Sequence, residues 1–172
     1  MTAAGTATGI ALSGAGAAVS AFLPGMTAPL AAGLGAAAFA YSLHELGFLR
    51  LPVPGRDWQV PVEWVRDGFY RGAAIFGATA GVGVLTRVPF ATLPILLAWL
   101  FISGNVAYGA LAGLVYGAAR ALPIYASASC TEPAGMFQLN QRLQQLAPLQ
   151  HQIAGIALAA FAAYLLAAPA VP

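Results

Sequence analysis

Few side chains in this 172-residue sequence can do chemistry, and Arg87 stands out first. It lies in Thr86-Arg87-Val88-Pro89-Phe90-Ala91-Thr92-Leu93-Pro94, inside a run of apolar or small residues from Gly72 to Ser103. A guanidinium keeps its charge at any accessible pH, so in an apolar setting it must pair, snorkel to water or hold an anion. Pro89 and Pro94 each remove a backbone donor and crowd the preceding turn. A helix broken there would leave carbonyls open to a ligand or to the guanidinium. Arg87, Pro89, Phe90, Thr92 and Pro94, with Asn105 just after the run, form the candidate binding set for a small polar or anionic solute. The competing reading makes Arg87 an anchor at the end of a shorter span.

His44-Glu45 is the next pair that carries chemistry, as a proton or cation relay or as a polar anchor at a helix end. His151 has no partner visible in sequence and reads as interfacial. Cys130 is the single cysteine, which excludes an intramolecular disulfide and a thiolate metal cluster. No H-E-x-x-H, G-x-S-x-G or phosphate-binding glycine loop is present. The expectation is a protein that is not an enzyme and holds no metal or cofactor.

The elements that position these residues follow from composition. Hydrophobic residues make up 60% and charged residues 7%, whereas about a quarter of residues are charged in a soluble chain. That balance predicts an integral membrane protein in a lipid bilayer. The seven basic residues are all arginines and lie mostly between apolar runs, which points to membrane orientation and not to nucleic acid.

Five crossings are expected: 5–23, 30–49, a broken span over 72–103, 106–126 and 153–168. Gly5, Gly9, Ser13, Ala17 and Ala21 recur every fourth residue, and Gly109, Gly113 and Gly117 do the same. Small residues at that spacing form a helix-packing face, within the chain or between subunits. Segment 50–71 carries Trp58, Trp64 and four arginines and suits the headgroup level. Segment 127–149 is a polar loop rich in glutamine, with Leu139, Leu143, Leu146 and Leu149 marking a short amphipathic helix. Arginine in both long loops predicts a cytoplasmic N-terminus.

Val88-Pro89-Phe90-Ala91-Thr92-Leu93-Pro94 resembles the Ser-Pro-Cys-x-x-x-Pro break of the cytochrome c biogenesis and thiol–disulfide interchange membrane domains. The turn Ser103-Gly104-Asn105 and the glycine-rich helix ending Tyr116-Gly117-Ala118-Ala119-Arg120-Ala121-Leu122-Pro123 are similar too. So is the order of a polar linker and one last helix, Gln141 to Leu166. Phe90 stands where that family has its reactive cysteine, and Val88 replaces the serine. Pro24 to Pro29 repeats the proline spacing of Pro89 to Pro94, as a degenerate first repeat or by chance. The resemblance implies the broken-helix scaffold without thiol exchange, which needs two sulfurs.

The expected fold is an all-α transmembrane bundle forming one domain over 1–172. The expected function is a transporter-like or electron-relay-type inner-membrane protein. The alternative is a non-catalytic assembly subunit that binds other membrane proteins. Either would work as a homo-oligomer or with a partner membrane protein.

Overall fold

The computed structural model describes residues 1–53, 72, 74–75, 77–79, 90–128 and 133–167. Its regular structure is helical: α1 (Thr2–Phe22), α2 (Thr27–Glu45), α3 (Thr92–Ser103), α4 (Val106–Ala128) and α5 (Pro133–Ala167). Arg87 and Pro89 lie outside the described residues, as do Cys130 and most of segment 50–71. The expected broken span is described in its second half as α3, with Gly72, Ala74, Ile75, Gly77, Ala78 and Thr79 also helical.

Backbone contact through glycine sets the pairing of α1 with α4. A Cβ on Gly5 would strike the backbone of Gly113, and one on Gly9 would strike that of Gly109. Gly117 lies against Met1, where a Cβ would come within 2.7 Å of the carbonyl oxygen. The order of these pairs makes α1 and α4 antiparallel. The two small-residue faces are therefore consumed against each other inside one chain. The spacing of four residues keeps each face on one side of its helix, and without side chains the axes close to backbone contact.

On the other side α2 packs antiparallel to α5. Leu34 and Ala38 of α2 share a buried cluster with Leu158, Ala162 and Leu165 of α5 and with Ala91 and Ile95 at the start of α3. Trp99 of α3 meets Phe161 of α5 edge to face at 5.6 Å between ring centroids. α3 thus lies against α1 and α2, with α4 and α5 flanking them. Gly104, at φ +58, turns the chain from α3 into α4 beside Ala17. The helices alternate in direction. One end gathers Met1, Glu45, Ala91, Gly117 and His151; the opposite end holds Phe22, Thr27, Gly104 and Leu166.

Within the expected polar loop over 127–149, the described residues 127–128 and 133–149 are helical. α5 begins at Pro133 and runs unbroken for 35 residues with Pro148 inside it. One proline removes one ladder hydrogen bond. The leucines at turn spacing and the good helix formers Gln and Ala carry the helix through that gap.

The 31-residue stretch Phe137–Ala167 of α5 is long and apolar enough to cross a membrane. Large apolar side chains face outward on several helices. Phe22, Leu111, Leu122, Ile153, Ile156, Tyr164 and Leu166 are each more than half exposed. Among the described residues, Glu45, Arg50, Arg120 and Arg142 are the Asp, Glu, Lys or Arg side chains present.

Candidate functional site

The polar centre of the described bundle is a buried carboxylate where three helices meet. α2 ends at Glu45, and the side chain of Glu45 has no solvent exposure. Its Oε1 accepts the backbone N–H of Ala91 at 2.6 Å. Its Oε2 lies 2.5 Å from Nδ1 of His151 on α5, whose side chain is 42% exposed. Phe90 covers the imidazole with ring centroids 4.8 Å apart.

Each partner has a local cause. α3 carries no acid in its first turn and no side-chain cap of its own. The first N–H groups of a helix lack intrahelical partners and carry partial positive charge, so a carboxylate from another helix satisfies both needs. Ala91 is fully buried, and its N–H would otherwise be stranded away from water. On α5, His151 falls one turn beyond Pro148, and Gly155 one turn further lets α5 approach Leu46 of α2. That approach brings the imidazole over the end of α2.

The expected His44-Glu45 relay is not what the structure assembles. Adjacent residues on a helix point about 100° apart. His44 turns the other way, where Nδ1 lies 3.0 Å from the N–H of Leu51 and 3.2 Å from the carbonyl of Leu49. With Tyr41, which donates from its hydroxyl to the Pro52 carbonyl, it holds segment 49–52 back along α2. His151, read as partnerless, is the residue Glu45 engages.

The expected binding set is also divided. Phe90 and Thr92 lie at the Glu45 end, and Pro94 occupies the first turn of α3, where a missing N–H costs no helical bond. Asn105 sits at the opposite end, the length of α3 away, about 18 Å at 1.5 Å per residue. There its Oδ1 accepts the Tyr108 N–H at 3.0 Å as the N-cap of α4. It borders an open cleft with Trp99, Ser103, Tyr108, Phe161 and Tyr164. Arg120 of α4 donates to the Tyr116 hydroxyl at 2.7 Å. No group of three or more metal-ligating side chains occurs among the described residues.

Among the described residues, fold and site together define a helical bundle with an apolar exterior, one helix both long and apolar enough to cross a membrane, and a buried acid paired with a half-exposed imidazole. Among curated proteins this chain is similar to the methylamine utilization protein MauF of several bacteria. It is 36% identical to that of Methylorubrum extorquens over 100 residues, covering 54% of this chain and 33% of the relative. The MauF of Methylophilus methylotrophus is 33% identical over 97 residues, with the same shares. That of Paracoccus versutus is 35% identical over 92 residues, covering 49% of this chain and 31% of the relative. The matched region thus spans about a third of the length of these relatives. No family model matches the chain. No solved structure matches it.

These relatives correct the expected kinship and function. The chain's similarity runs to MauF and not to the cytochrome c biogenesis and thiol–disulfide interchange domains. The Pro-x-x-x-x-Pro spacing that suggested those domains recurs easily in apolar chains rich in alanine and proline. The cysteine that would have made it specific is here Phe90, packed on His151. The transporter or electron-relay reading fell with that kinship, and the assembly-subunit alternative gains nothing from it.

Proposed function

We propose that this chain is a multi-pass membrane protein that acts in methylamine utilization. The observation that carries the proposal is its 31–36% identity to proteins of that name from separate bacteria. Other proteins of the same system are its expected partners.

The membrane part of the reading is supported by the outward-facing apolar side chains of α1, α4 and α5 and by the scarcity of charge. α1 and α2, at 21 and 19 residues, carry no Lys, Arg or Asp, and the single acid of α2 is the buried Glu45. Both have the length a helix needs to span hydrocarbon. Arg50, Arg120 and Arg142 all belong to the end of the bundle that holds Glu45. Positive side chains mark the cytoplasmic face, which supports an inner-membrane orientation with a cytoplasmic N-terminus.

The test of function is growth. A strain with an in-frame deletion of the gene should grow like its parent on ammonium and fail on methylamine as nitrogen source. Equal growth on both would remove the proposal. Orientation is checked by cysteine labelling in a Cys130→Ser background. Arg142→Cys should resist an impermeant reagent in whole cells, and its labelling would reverse the topology.

A further inference from the structure

Glu45 is a carboxylate without solvent contact, joined to an imidazole that is 42% exposed. A charge held among apolar helices is costly, and such residues are kept where protons or ions are handled. His151 is the titratable side chain that links this one to the outside among the described residues. We propose that the pair is a proton-loading site, in which His151 carries protons between water at the near end of the bundle and Glu45 inside it.

The step balances on these two side chains. Hydronium gives a proton to Nε2 of the neutral imidazole, forming an N–H bond there. Nδ1 releases its own proton to Oε2 of Glu45, so one N–H bond breaks and one O–H bond forms. The ring ends neutral in the other tautomer, and Glu45 ends as a neutral acid. Oε2–H then donates back to the bare Nδ1, while Oε1 still accepts from the Ala91 N–H as a carbonyl oxygen. No hydrogen bond is lost in either state, and the reverse sequence unloads the site.

Among the described residues, the surroundings leave this chemistry to the pair. On α2, His44 is occupied with Leu49 and Leu51, and Arg50 follows beyond that turn. α3 offers no titratable side chain between Thr92 and Ser103, and α1 none between Thr2 and Phe22. On α5, Arg142 lies nine residues before His151 and on the far side of Pro148. Phe90 lies against the imidazole and limits its tilt. The inference stands on this geometry and is independent of the role in methylamine use.

Time-resolved infrared spectroscopy of the purified full-length chain in lipid vesicles tests it. A drop in pH should bring up a carboxylic-acid C=O band that is missing in Glu45→Gln, a variant that can keep both hydrogen bonds. In His151→Phe, which preserves a ring against Phe90, the band should reach the same amplitude about a hundredfold more slowly, in line with loss of a positioned proton carrier. His151→Asn, able to hydrogen-bond but not to relay, should be slow as well. Far-UV circular dichroism shows whether each variant keeps its helices. A wild-type loading rate in both folded His151 variants would overturn the proposal. So would the lack of any Glu45-dependent band at every pH where the protein stays helical.

Discussion

Glu45 and His151, separated by 106 positions in sequence, meet at 2.5 Å and tie the end of α2 to α5 over the first turn of α3. Removing the carboxylate strands the buried Ala91 N–H and takes away the imidazole's partner. Glu45→Ala should therefore cost on the order of 1–3 kcal/mol, the penalty of an unmet buried donor. Glu45→Gln, which can still accept from Ala91, should cost less. Thermal unfolding of both variants in one detergent or lipid checks the order. Equal stability of Glu45→Ala and the wild type would show the contact to be incidental.

Gly9 and Gly109 place the backbones of α1 and α4 in contact, so any added carbon must push the helices apart. Gly9→Val or Gly109→Val should destabilise the chain by about 1–3 kcal/mol through overpacking. Gly14 faces open space, and Gly14→Ala should be neutral or stabilising by up to about 1 kcal/mol from helix propensity. Gly113→Leu should disturb folding of the single chain and not merely dissociate copies of it, because Gly113 faces Gly5. Unfolding midpoints combined with light scattering in detergent separate these two outcomes.

Asn105 caps α4, which predicts a loss of about 1 kcal/mol for Asn105→Ala and little change for Asn105→Asp or Asn105→Ser. The readout is again thermal unfolding. A ligand-binding role would instead leave stability alone and change only the phenotype.

The sequence carried the helices and their small-residue faces but not their partners. Gly5 and Gly9, like Gly109 and Gly113, are legible because four residues make about one turn. Neither stripe says which helix it meets, since any small-residue face suits any other. The Glu45–His151 pair was hidden for a related reason. Sequence proximity joined Glu45 to His44, whereas helix geometry turns neighbours apart and the antiparallel packing of α2 on α5 supplies the real partner. A lone acid and a lone histidine in apolar segments were the available signal. Within α5, Pro148 and the glutamines read as loop because polarity and proline usually mark one. The leucine spacing that keeps the segment helical was visible, but its continuity with the last apolar helix was not.

Glu45 is the polar centre of the described bundle, and complementation of the deletion strain tests most directly whether methylamine use depends on it. On methylamine as nitrogen source, the wild-type gene should restore growth. The Glu45→Ala gene should not, although its product accumulates in the membrane fraction. Restoration by Glu45→Ala equal to that by the wild type would contradict the account, since the chain would then serve methylamine use without its buried carboxylate.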